Sequence, residues 1–90
     1  MFKTLEELIT VIRQRKEYLL EESYTKKLLN DKKLSIEKVK EEIAELIDAI
    51  EKNTNKVHEA ADVLYHLMVL LETNGIKIED VMNELKKRQK

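Results

Sequence analysis

KVKEEIAELIDAIEKNTNKVHEAADVLYH, residues 38–66, carries two acidic pairs, Glu42-x-x-Glu45 and Glu59-x-x-Asp62, parted by a polar break at Asn53-Thr54-Asn55 and closed by Tyr65-His66. Successive residues of an α-helix are about 100° apart, so positions three apart lie on nearly one face. Each pair therefore aims two carboxylates in one direction. So short a break makes the flanking helices antiparallel neighbours, and four acidic side chains then converge on one small volume. Anions gathered there repel one another unless hard, oxygen-seeking cations sit between them. The expectation is a Mg2+ site. The plainer alternative is a set of solvated helix acids beside a core histidine bonded to a carbonyl.

The surroundings favour the first reading. From Ala60 to Leu71 nearly every residue is apolar, and Glu59, Asp62 and His66 are the exceptions, spaced three and four apart on one stripe. Apolar groups all round a helix predict a buried element, and charged side chains are seldom buried unless paired or bound to metal. Upstream, Ile36, Val39, Ile43, Leu46, Ile47 and Ile50 repeat at helical spacing behind Ser35, the expected N-cap. Projection sets Lys38, Glu42, Glu45 and Ala49 in one row beside that apolar face. Glu42 lies nearest the core boundary, and Glu41 and Asp48 turn toward solvent.

Ninety residues make one domain, 1–90. No proline, one glycine and abundant Leu, Ile, Glu and Lys predict an all-α protein without strands, an antiparallel bundle of about four helices. With four aromatic residues the core is aliphatic and thin, so completion by dimerisation is the natural remedy. Seventeen basic residues against eighteen acidic ones give a net charge of −1, unlike the strongly basic balance of a nucleic-acid binder. The absence of cysteine rules out disulfides and thiolate metal sites. No apolar run reaches the roughly 20 residues that span a bilayer, and the amino terminus lacks a signal-sequence pattern. The expected location is the cytoplasm.

Outside the acidic stretch, Thr4-Leu5-Glu6-Glu7 has the form of a capping box opening a first helix. Tyr18, Leu19 and Leu20 either continue it or pack irregularly, and Asn30-Asp31-Lys32-Lys33 reads as a surface loop. Asn55 or Thr54 caps the helix after the break, which ends at Asn74-Gly75. A last helix takes Ile78 to about Arg88, and its Lys86-Lys87-Arg88 tail complements the helix dipole.

In order along the chain, Glu22-Ser23-Tyr24-Thr25, Lys38-Val39-x-Glu41-Glu42-x-x-Glu45, Glu59-Ala60-Ala61-Asp62-x-x-Tyr65-His66 and Asp80-Val81-x-x-Glu84-Leu85-x-x-Arg88 closely resemble the phosphoribosyl-ATP pyrophosphohydrolases. These are the histidine-biosynthesis members of the all-α, MazG-like nucleotide pyrophosphohydrolases. The acidic pairs are common to the superfamily, whereas the Ser-Tyr-Thr segment and the Tyr-His select this member. The resemblance implies Mg2+-dependent hydrolysis of the α–β anhydride of phosphoribosyl-ATP, giving phosphoribosyl-AMP and pyrophosphate, in a homodimer or higher homo-oligomer. It implies that Glu41, Glu42, Glu45, Glu59 and Asp62 form the metal-binding cluster, with Glu42 or Glu45 as the base. Ser23, Tyr24, Thr25 and His66 would then contact the nucleotide. Lys38, one turn before Glu42, can reach a bound phosphate, and Arg13, Arg15 and Lys16 can approach from the first helix. An i,i+4 pair of Lys38 with Glu42 is the ordinary alternative. Lys40 stands where the family has glycine, and Glu21 where proline is common. These departures bear on substrate choice rather than on metal chemistry. Two further readings compete: a housecleaning nucleoside triphosphate pyrophosphohydrolase, and a non-catalytic helical dimerisation module.

Overall fold

A computed structural model describes residues 2–17 and 23–89. The expectations for Tyr18–Leu20, and for Glu21 and Glu22, lie outside the described residues. The described residues form five helices: α1 (Lys3–Glu17), α2 (Tyr24–Leu29), α3 (Lys32–Lys52), α4 (Lys56–Thr73) and α5 (Ile78–Arg88). Among the described residues there is no strand, as the composition predicts. The all-α bundle of about four helices is present as four longer helices and the six-residue α2, which starts at the Ser-Tyr-Thr segment. The Ser23 hydroxyl accepts the Lys26 amide at 3.1 Å as N-cap, and Leu28 is fully buried behind it. One satisfied orphan donor and one buried leucine outweigh weak intrinsic propensity in so short an element.

Two predicted caps move. Ser35 sits inside α3, 1% exposed, and Asp31 caps that helix instead, its Oδ1 accepting the Leu34 amide at 3.0 Å. A charged carboxylate is at least as good an N-cap as a hydroxyl. Starting the helix four residues early also turns Leu34 toward the core. Lys32 and Lys33 are thus helical, and the expected loop shrinks to Asn30 and Asp31. At the amino terminus the Phe2 carbonyl accepts from the amides of Leu5 and Glu6, which leaves Thr4 within the first turn and not at the cap.

The C-terminal signals behave as expected. Gly75 has φ +68, and the amides of Gly75 and Ile76 return to the carbonyls of Glu72 and Leu71. That is the Schellman pattern, for which a residue without a Cβ is suited. Asn53 repeats it at the end of α3, with φ +55 and Thr54 N–H bonded to the Ala49 carbonyl at 3.0 Å. Asn55, also left-handed, then starts α4 through its own carbonyl, which accepts from Glu59 N–H. The three-residue turn lays α4 back along α3, and theirs is the most extensive helix pairing in the molecule.

The core centres on Ile12, Leu28, Met68 and Val69, so α1, α2 and α4 meet there. At the far end of α4, Arg13 donates to both carboxylate oxygens of Glu79, at 3.0 and 2.6 Å, and its Nε lies 3.6 Å from Glu72. Lys16 donates to the Glu72 carbonyl at 3.3 Å. These contacts fasten α5 and the end of α4 to α1. The expectation that α4 is buried all round fails within one chain: only His66, Met68 and Val69 are buried, while Val57 is 86% and Leu64 49% exposed. Ile43, Ile47 and Ile50 form a second exposed stripe on α3. A chain of this length lacks the material to cover both helices.

Candidate functional site

Because α3 and α4 run side by side, the two acidic pairs share one region. Carboxylate oxygens of Glu41, Glu42 and Glu45 lie within 4.8 Å of one another on α3, and ligand atoms of His58, Glu59 and Asp62 meet the same limit on α4. Glu42 is 7% exposed and Glu41 opens to solvent, as the helical projection predicts, while Glu45, projected into the row of Glu42, is exposed as well. Burial pushes the Glu42 carboxyl above the usual carboxylate range; the charge and hydrogen bonding of Glu45 and the charge of Asp62 push the same way, and His66 opposes them. Glu59 is likewise raised, first by burial, then by Glu45 and, more weakly, by Asp62. Each helix thus feels the other's negative charge.

Two carboxylate oxygens of the site stand unmatched. Oε2 of Glu42 and Oε2 of Glu59 are buried and have no hydrogen-bond partner. Leaving a buried acceptor unmatched is unfavourable by roughly 1–3 kcal/mol, and more when it is charged. The carboxylates of Glu42, Glu45, Glu59 and Asp62, from two facing helices, are oxygen donors of the kind that suits a hard divalent cation such as Mg2+. Alongside, an open cleft of about 470 Å3 is bounded by Glu41, Glu45, Asp48, Thr54, Asn55 and Glu59, which leaves room for a phosphate chain.

Positive charge stands at one flank. Lys38 Nζ is 3.2 Å from Glu41 Oε2 and 4.0 Å from Glu42 Oε1. Its ammonium pKa is held up chiefly by the bond to Glu41. Tyr24, from α2, faces the same corner: burial pushes its hydroxyl pKa up, Lys38 opposes that, and the charges of Glu42 and Glu41 add to it. The Tyr24 hydroxyl is 2.9 Å from His66 Nε2, and His66 Nδ1 is 2.8 Å from the Asp62 carbonyl. A carbonyl only accepts, so Nδ1 carries the proton and Nε2 accepts from Tyr24 when the ring is neutral. Next to this contact the hydroxyls of Thr25 and Tyr65 are hydrogen-bonded, and the rings of Tyr65 and His66 meet edge to face. Together these contacts latch α2 to α4 beside Asp62.

The structure thus draws Glu41, Glu42, Glu45, Glu59, Asp62, Lys38, Tyr24 and His66 to one end of the α3–α4 pair, with Thr25 bound to Tyr65. Ser23 is occupied as the α2 cap. Arg13 and Lys16 do not join this group within one chain: their partners Glu72 and Glu79 are at the opposite end. Glu72 lies ten residues beyond Asp62, about 15 Å along the helix axis. Arg15 sits on α1 beside them. Sequence reasoning missed the Tyr65 hydroxyl, whose partner is in another helix. It also missed His58, although its spacing of four from Asp62 was available as a signal.

Residues 5–89 match the phosphoribosyl-ATP pyrophosphohydrolase family. The chain is 48% identical over 92 residues to a protein of Clostridium novyi named phosphoribosyl-ATP pyrophosphatase, covering 96% of this chain and 81% of that one. It is 42% identical over 94 residues to the protein of the same name from Pyrobaculum arsenaticum, covering 98% and 97%. Against the histidine biosynthesis bifunctional protein HisIE of Pyrococcus furiosus it is 46% identical over 87 residues, 96% of this chain but only 41% of that longer protein.

Proposed function

This chain belongs to the phosphoribosyl-ATP pyrophosphohydrolase family, and we propose that it hydrolyses the α–β anhydride of phosphoribosyl-ATP to phosphoribosyl-AMP and pyrophosphate. In this reading Glu42, Glu45, Glu59 and Asp62 hold Mg2+, with Glu41 at the rim. The observation that carries it is the pair of buried, partnerless oxygens on Glu42 and Glu59, contributed by two helices to one acidic region.

When bound, Mg2+ supplies charge neutralisation and Lewis acidity toward the phosphoryl oxygens. The protein's own groups do the rest. Lys38 leaves Glu41 to bind a phosphate oxygen, a charge-assisted contact. A carboxylate oxygen of Glu42 or Glu45 that is not bound to the ion accepts the proton of the attacking water. Tyr24 presents its hydroxyl to the nucleotide from a position held by His66. The chain works as a homodimer in the cytoplasm, with the apolar stripes of Ile43, Ile47 and Ile50 and of Val57 and Leu64 covered by a second copy.

The test offers phosphoribosyl-ATP beside ordinary and modified nucleoside triphosphates with Mg2+ and measures pyrophosphate. Release from phosphoribosyl-ATP by preference supports the biosynthetic assignment. Preference for a modified deoxynucleotide replaces it with a housecleaning role.

A further inference from the structure

His58 opens the segment His58-Glu59-x-x-Asp62, and its imidazole is the one nitrogen donor grouped with the acids of α4 among the described residues. Residues four apart on a helix meet on one face and can hold a single ion between them. The Nε2 of His58 is 3.3 Å from Oδ2 of Asp62. That is longer than the about 2.7–2.9 Å of a charge-assisted hydrogen bond. It is close to the about 3.4 Å edge of a tetrahedron with metal–ligand bonds near 2.1 Å. The third member, Glu59, carries a buried oxygen with no partner, and Glu42, more than nine-tenths buried with its own unmatched oxygen, feels the charge of Asp62 from α3. His58 itself is 72% exposed, so its ring is free to turn inward without unpacking the core.

We propose that His58 adds an imidazole nitrogen to the acidic centre, so that beside the Mg2+ of the proposed reaction the site also takes a nitrogen-accepting first-row divalent ion of the Zn2+ type, and holds it more tightly than the acids alone would. This rests on the reading that the acids hold a divalent cation. Oxygen-only sites suit Mg2+, and each imidazole shifts a site toward the later transition metals. The consequence for the proposed reaction is that one protein accepts two classes of ion, and the His58 nitrogen sets how strongly the softer ion competes.

The probe is Co2+, whose visible absorption reports its ligands, together with calorimetric titration of Co2+ and Mg2+ into the full chain and into His58→Gln. Loss of about tenfold or more in Co2+ affinity with Mg2+ affinity held within about twofold, and a changed Co2+ spectrum, is the expected result. Equal Co2+ affinity and an identical spectrum in the two proteins overturn the assignment and leave His58 a surface partner of Asp62. Failure of both proteins to bind either ion overturns the acidic metal centre as well, so the two readings fail by different results. Thermal unfolding of ion-free His58→Gln matching that of the parent shows that a binding loss is not a folding loss.

Discussion

Replacing Glu42 by glutamine should stabilise the ion-free protein and abolish its response to Mg2+. Glu42 lies with an oxygen within 4.8 Å of ligand oxygens on Glu41 and Glu45. Two unit charges at that distance repel by about 1 kcal/mol in water and about 3 kcal/mol at the effective dielectric of a protein boundary. Because Glu45 is exposed, the lower end applies. For a domain of this size about 1 kcal/mol moves the melting temperature by roughly 4–8 °C. Glutamine keeps the shape and removes the charge, so with chelator at about pH 7.5 the variant should melt higher by that amount. The sign follows from linkage: a carboxyl raised above its ordinary 4.5 contributes stability that is complete below 4.5 and fades as pH climbs through the folded value. The advantage of Glu42→Gln should therefore vanish near pH 4. With Mg2+ at about 100 times its dissociation constant the parent gains about 2.7 kcal/mol and the order reverses. Scanning calorimetry at one protein concentration reads the three conditions for both proteins. A variant that melts below the parent in chelator at neutral pH, or that responds to Mg2+ as the parent does, refutes the crowded-anion account.

Asp62→Ala should abolish pyrophosphate release while circular dichroism keeps its helical signal; retained turnover would remove Asp62 from the metal set. Lys38→Ala should raise the Michaelis constant about tenfold, the loss of one charge-assisted phosphate contact, and unchanged steady-state kinetics would make it a surface lysine paired with Glu41. The Arg13 guanidinium lowers the Glu79 carboxyl to about 2 from 4.5, so that contact contributes stability above pH 4.5 and loses it as pH falls toward 2. Acid unfolding of Arg13→Gln and parent should accordingly differ at neutral pH and converge between those values; curves that stay parallel would deny the linkage. Leu64→Glu should shift sedimentation toward a single chain, and an unaltered species would show that α4 does not form the subunit contact.

What could be read from the chain depended on how local the signal was. The rows 36–50 and 59–71 repeat at helical spacing, Asn74-Gly75 ends a helix by a backbone conformation few other residues favour, and three polar residues between two helices leave little freedom in how they pack. Those features set the α3–α4 hairpin and the depth of Glu42. Capping was less legible, because Asp31 and Ser35 are both good N-caps and the choice falls to the burial of Leu34. The bonds Tyr24–His66 and Thr25–Tyr65 join residues more than forty positions or exactly forty positions apart, out of reach of periodicity. Arg13 and Lys16 have the composition of phosphate ligands, and only tertiary contact reveals their commitment to Glu72 and Glu79. The apolar circumference of α4 misled for a related reason: hydropathy registers that a surface needs covering and is silent on whether the same chain or another covers it.

The bend at residues 53–55 works as a ruler. Asn53 and Asn55 both hold positive φ, +55 and +46, within three residues, and such angles tolerate few replacements. A hairpin pinned this way resists splaying when like charges press its arms apart, so the backbone itself sets the span across the acidic mouth. Exchange of Asn53 for a β-branched residue would slacken that gauge from outside the acidic cluster, and chemistry at the mouth would report damage done at the hinge.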